Sequence, residues 1–204
     1  MSAFANDLHR DLVRALAEVK AAGAAYVPRA LDDRFRRALR REVDGGPFRS
    51  MSGTYGKVRM EIDGYDVQAP MDGFPVMREL ADELGALVRT SGSAIRGLAT
   101  WVPNEIGVTR YQPGSLGITP HLDGKWYRRL VVVVTVYGRS RFALCRNREG
   151  EVLASWRPGP GDLVLMRGPG FGGVRDGRPF HLAEGPTRGS RCSLGVRMSV
   201  NPPS

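Results

Sequence analysis

Apolar residues recur at three- and four-residue steps through the first part of the chain. Phe4, Leu8, Leu12, Leu16 and Val19 form one stripe, and Leu31, Phe35, Leu39 and Val43 form a second. That spacing belongs to helices that bury one face. Pro28 separates the two stripes and Gly45-Gly46 stops the second, so the first 45 residues read as helix. The period then shortens. Val58, Met60 and Ile62 alternate with Lys57, Arg59 and Glu61, and Asp63-Gly64 offers a turn into Tyr65-Asp66-Val67, which predicts a β-hairpin over residues 57–67. A third helix follows, with Val76, Met77, Leu80, Leu84, Leu87 and Val88 on one face.

From about residue 107 onward, short strands alternate with Gly and Pro. The pattern predicts strands over 107–111, 119–123, 130–137, 141–145, 152–156, 162–166, 178–183 and 191–200. Many short strands with regular turns imply a sandwich, a barrel or a jelly roll, and with the helices ahead of them the class is α+β. The segment Gly168-Pro-Gly-Phe-Gly-Gly173 is glycine-rich but lacks the Lys-Ser/Thr and helix of a phosphate cradle. It reads as a flexible loop beside a site. The chain ends in a short proline-containing tail, residues 201–204.

A length of 204 residues suits one domain with a substantial core. No apolar run is long enough to span a bilayer, and the first residues lack a basic-then-apolar leader pattern, so the expectation is a cytoplasmic protein without a membrane partner. Cys145 and Cys192 each fall inside an apolar strand pattern, the setting of small buried hydrophobes. The net charge of +9 admits a nucleic-acid partner. Its densest cluster, Arg36, Arg37, Arg40 and Arg41, lies on a helix, where a solvated face and a phosphate-binding stripe are both open readings.

Two of the three histidines change the picture. His121-Leu-Asp123 stands ahead of the long apolar strand, and in a strand, residues two apart face the same way. His181 follows on a later strand. Two imidazoles and one carboxylate with open positions suit Fe(II), Mn or Co, and are the ligand set of non-haem Fe(II) oxygenases. Alone, a His-x-Asp is an ordinary surface pair. The strand 191–200 strengthens the case. Arg191, Ser193, Gly195, Arg197 and Ser199 share one face, and Cys192, Leu194, Val196, Met198 and Val200 the other. An inward face with two arginines calls for an anion.

Four motifs in order then match a known family. Thr109-Arg-Tyr111-Gln-Pro-Gly114, His121-Leu-Asp123, His181 and Arg191-Cys-Ser193-Leu-Gly-Val-Arg197 resemble the Fe(II)/2-oxoglutarate-dependent dioxygenases, most closely the AlkB-like branch. The resemblance implies a double-stranded β-helix, a form of jelly roll, with N-terminal helices packed against it. It implies one domain over 1–204, in which 1–90 supplies helical support and a hairpin lid and 91–204 the catalytic core. His121, Asp123 and His181 would hold Fe(II). Arg191, helped by Ser193, Tyr111 and Thr109, would hold 2-oxoglutarate, with Arg197 nearer the metal end. With O2 as second co-substrate, the implied reaction hydroxylates a substrate and releases succinate and CO2. Lys125, Trp126, Tyr127 and Tyr65 are the candidate substrate contacts. A small-molecule substrate is the leading expectation, with oxidative demethylation of alkylated nucleic acid as the alternative.

Overall fold

The computed structural model describes residues 2–5 and 7–200, so the proline-containing tail lies outside the described residues. In chain order the elements are α1 (Leu8–Ala22), β1 (Ala24–Val27), α2 (Asp33–Asp44), β2 (Arg49–Ser50), β3 (Gly53–Tyr55), β4 (Val58–Glu61), β5 (Asp63–Gln68) and α3 (Pro75–Ser91). They continue with β6 (Glu105–Tyr111), β7 (Gly117–His121), β8 (Tyr127–Tyr137), β9 (Phe142–Cys145), β10 (Val152–Trp156), β11 (Leu163–Arg167), β12 (Phe180–Ala183) and β13 (Arg191–Ser199). None of the described helices is long and apolar enough to cross a membrane.

The helices begin and end where local chemistry allows. Asp32 caps α2, its carboxylate accepting from the backbone N–H of Arg34 at 2.8 Å and of Phe35 at 2.9 Å. Gly23 ends α1 in the left-handed region at φ 95°, its N–H donating to the Val19 carbonyl at 2.9 Å. The chain does not resume as helix there, as the sequence pattern had suggested. Residues Ala24–Val27 form β1, which pairs antiparallel with β11.

Two antiparallel sheets result. The larger runs β1-β11-β8-β13-β6-β5-β2 and the smaller β10-β9-β12-β7-β4-β3. β8 explains the long apolar run. Leu130, Val132, Val134 and Val136 face the helices, packing with Leu12, Leu16, Leu39 and Leu84, while Val131 and Val133 face the smaller sheet with Phe142 and Leu144. A strand covered on both faces reads as a continuous apolar run, here Leu130–Val134, with the buried Thr135 beyond it. β13 lies between β8 and β6 in the same sheet. Its Cys192, Leu194 and Val196 enter the helix-side core, so its polar face is turned into the space between the sheets.

The segment 57–67 is not the expected hairpin. β4 belongs to the smaller sheet and β5 to the larger, so Ile62 and Asp63 mark a crossing between sheets and not a turn. The hairpin lies earlier, β3 pairing with β4 around Gly56, whose φ is 62°. Gly64 has a different duty from that of a turn glycine: a Cβ there would stand 2.4 Å from the Val108 carbonyl oxygen, so only glycine lets β5 lie this close to β6. The first 90 residues therefore supply strands to both sheets as well as the helical layer.

Candidate metal centre and co-substrate pocket

β7 and β12 are neighbours in the smaller sheet, and their register sets His121 directly opposite His181. The two rings lie 4.2 Å apart between centroids. His121 Nδ1 is 2.9 Å from the Thr119 carbonyl oxygen, and His181 Nδ1 is 3.2 Å from that of Pro179. A carbonyl can only accept, so each Nδ1 carries the proton and each Nε2 presents its lone pair. Both Nε2 atoms face Asp123: its Oδ1 is 3.9 Å from that of His121 and 3.7 Å from that of His181. One donor atom from each residue lies within 4.8 Å of the other two, a spacing one cation can close.

Asp123 reaches this position from a loop. β7 ends at His121, so the alternation of a strand does not orient the carboxylate. Arg178 does part of that work, its Nη1 donating to the Asp123 carbonyl at 2.5 Å while its Nη2 pairs with Asp176 at 2.7 Å. Burial and the charge of His181 push the His121 pKa down to about 4 against the pull of Asp123. Burial alone would raise the pKa of Asp123, but His181, His121, Arg197 and Arg178 together hold it below the ordinary value. At neutral pH His121 is therefore a neutral imidazole and Asp123 a carboxylate, the forms in which each can ligate a metal. Phe142 stacks on His181 at 5.5 Å and fixes the ring from its far side.

The same cavity, about 250 Å³, is lined by Thr109, Tyr111, Arg191, Ser193, Gly195 and Arg197 on the opposite sheet. Arg191 is fully buried, and among the described residues neither its Nε nor its two Nη atoms has a hydrogen-bond partner. Its guanidinium carbon stands 5.0 Å from the centroid of the Tyr111 ring. An unpaired buried guanidinium strongly opposes folding unless an anion joins it. Its fork matches a carboxylate.

Arg197 is held otherwise. Its Nη1 bonds Glu105 at 2.9 Å and the Tyr127 hydroxyl at 2.8 Å, and lies 3.7 Å from Asp66. It crosses two glycines paired in register, Gly107 and Gly195. A Cβ on Gly107 would come within 2.4 Å of Arg197 Nη2, and one on Gly195 within 2.9 Å of its Nε. Sequence reasoning found Arg197 but missed the glycine floor and the Glu105 and Asp66 counter-charges. Glycines at matched positions on two strands were the available signal.

Other expected contacts are distributed differently. Tyr127 lines the cavity with the triad. Lys125 and Trp126 do not; they line a second, larger cleft on the other side of the same loop. Tyr65 is not at the site: it is buried in the helix-side core, packed on Phe48 and Phe74, and its hydroxyl donates to the Val43 carbonyl at 2.9 Å. The arrival of β5 in the larger sheet turned it inward. The Gly168–Gly173 loop borders the second cleft, not the triad.

No family model matches the chain, and no curated protein matches it in sequence. Solved structures do match its fold. A Pseudomonas putida prolyl-4-hydroxylase aligns over 94% of this chain and 100% of its own at 17% identity, with a TM-score of 0.63. The epimerase SnoN, solved with Fe3+, alpha ketoglutarate and nogalamycin RO, aligns over 93% and 84% at 16% identity, with a TM-score of 0.61. OsALKBH1 aligns over 86% and 98% at 15% identity, with a TM-score of 0.60. The chain thus has the jelly-roll fold of the Fe(II)/2-oxoglutarate oxygenases, with a His-Asp-His triad between its sheets.

Proposed function

We propose that the protein is an Fe(II)- and 2-oxoglutarate-dependent dioxygenase that hydroxylates a small-molecule substrate. The observation that carries this reading is the pairing, in one cavity, of a His-Asp-His donor set with a buried guanidinium that has no hydrogen-bond partner among the described residues. The donor set fits Fe(II), and the orphaned Arg191 fits one carboxylate of a dicarboxylate. Bound there, iron with 2-oxoglutarate and O2 supplies the oxidant for a substrate C–H bond, with release of succinate and CO2.

The chain's own part is binding, orientation and exclusion of water. Thr119 and Pro179 fix the tautomers of the two imidazoles, and Arg178 anchors the Asp123 backbone. Arg191 receives the far carboxylate of the co-substrate, with Tyr111, Ser193 and Thr109 beside it. Arg197, paired with Glu105 and close to Asp66, is held near Asp123 and helps keep that carboxylate ionised, while its own counter-charges leave Arg191 as the receiver of the co-substrate. Met51, Met60, Ile62 and Ile118 line the rest of the cavity with apolar surface, which keeps the reacting position dry.

The small volume supports a small reacting group. Two of the four arginines in the helix stripe that would have supported nucleic acid are engaged: Arg36 pairs with Asp33 and donates to the Val136 carbonyl, and Arg40 pairs with Asp44 and lies over the Tyr137 ring. Succinate release from Fe(II), 2-oxoglutarate and O2 tests the reading. His181→Ala should abolish it with the fold retained, and Arg191→Ala should raise the 2-oxoglutarate requirement far more than Arg37→Ala on exposed α2. Equal behaviour of the two arginine variants would remove the co-substrate assignment.

A further inference from the structure

A cavity of about 250 Å³ has little room beyond a dicarboxylate and one reacting group, so the body of any larger substrate must lie outside it. A second cleft, about 810 Å³, begins on the other side of the Asp123 loop. Residues 123–127 form the wall between the two: Asp123 and Tyr127 line the metal cavity, Lys125 and Trp126 the cleft. The indole of Trp126 folds back over Gly124, where a Cβ would stand 2.4 Å from its Cε2, and packs on Tyr127 with ring centroids 5.6 Å apart. The facing wall is tied in as well, because Asp176 lines the cleft and holds the Arg178 that bonds the Asp123 carbonyl.

The cleft is strongly cationic. Arg96, Lys125, Arg128, Arg129 and Arg175 line it, and none of them forms an ion pair among the described residues. The single lining acid, Asp176, is engaged by Arg178. Arg129 is fixed in place: its φ is 69°, its N–H donates to the Pro169 carbonyl at 2.8 Å, and its side chain donates to the Thr100 hydroxyl. A non-glycine residue in that conformation is held there by its surroundings. Five uncompensated cations around one concave space repel one another until an anion enters. Four of the five are guanidiniums, whose forked donors suit phosphate oxygens, and their number exceeds what one carboxylate neutralises. The backbone N–H groups of Gly170, Gly172 and Gly173 are already bonded within the loop or to Arg96, so the side chains supply the recognition.

We infer that this cleft binds the phosphate groups of a phosphorylated small molecule, with Trp126 covering its body and the reacting carbon reaching past Tyr127 to the triad. The last part rests on the oxygenase reading above; the phosphate site does not. The test is calorimetric titration of the full chain with 2-oxoglutarate present and without added Fe(II), which tripolyphosphate would chelate. The probes are tripolyphosphate and, separately, a single-stranded oligonucleotide. Arg96→Glu with Arg175→Glu reverses two exposed charges at the cleft. Arg34→Glu with Arg37→Glu reverses two exposed charges on α2 and changes the net charge equally. Wild type and the α2 variant should bind tripolyphosphate alike, with the cleft variant weaker by roughly tenfold or more and with a shallower salt dependence. Equal weakening in both variants, or no tripolyphosphate binding by wild type, overturns the site. Binding of the oligonucleotide alone overturns the small-molecule form in favour of a polymer. Tripolyphosphate binding in a protein that never releases succinate keeps the phosphate site and sinks its tie to oxidation.

Discussion

At the residue scale, Arg191 carries an unusual balance. Its charge is sealed from water and, among the described residues, without a hydrogen-bond partner, so it destabilises the empty protein and is relieved when a carboxylate arrives. Arg191→Met should therefore leave thermal stability unchanged or raised without ligand. It should also abolish the rise in melting temperature that 2-oxoglutarate gives the wild type. A melting temperature that falls by several degrees without ligand, with the 2-oxoglutarate response kept, would show that Arg191 has a structural partner. His121 makes a second prediction. Its folded pKa is pushed to about 4, below the ordinary 6.5, by burial and by His181. Between pH 6.5 and 4 the unfolded chain binds a proton that the folded chain refuses, so acid favours unfolding across that window. The metal-free protein should lose stability as pH falls through it, by at most about 1.4 kcal/mol per pH unit from this one group. His121→Asn should flatten the slope in denaturant titrations; an unchanged slope would assign the acid sensitivity elsewhere.

At the element scale, β6 and β13 build a floor for one side chain. Gly107 and Gly195 face each other beneath Arg197, which Glu105 and Tyr127 hold down. Gly195→Ala should destabilise the fold by about 1–3 kcal/mol, because the arginine must leave its partners to admit a methyl group. In Arg197→Ala that penalty should largely vanish, a coupling that a double-mutant cycle reads directly; additive effects would mean that the glycine serves the backbone alone. Tyr65→Phe removes a buried hydrogen bond to Val43 and should lower stability by about 1 kcal/mol with turnover unaltered, since the ring is remote from the triad. What the sequence pattern revealed follows the same physics. β13 was legible because one face packs on helices and the other on a cavity, so apolar Cys192, Leu194 and Val196 alternate with Arg191, Ser193, Gly195 and Arg197. The β4–β5 crossing was not, because Asp63-Gly64 looks like a turn while its glycine answers a close backbone approach. β1 was hidden by its four-residue length after a helix stop.

At the scale of the whole molecule, the function resides between two sheets. Each imidazole comes from the smaller sheet, the arginines from the larger, and the loop after β7 closes the set. His121, Asp123 and His181 could be read from the chain because ligand chemistry admits few residue types. Their convergence could not, since Asp123 stands beyond the strand end and depends on Arg178. Lys125 and Trp126 follow Asp123 so closely that they read as parts of one pocket, yet the loop turns them to the opposite side.

The most direct test of the central claim is anaerobic visible absorbance on adding Fe(II) and then 2-oxoglutarate to the purified protein. A charge-transfer band should develop only when both are present, vanish in His181→Ala, and require far more 2-oxoglutarate in Arg191→Met. Absence of the band in the wild type, or its persistence unchanged in His181→Ala, would contradict the metal and co-substrate site on which the account rests.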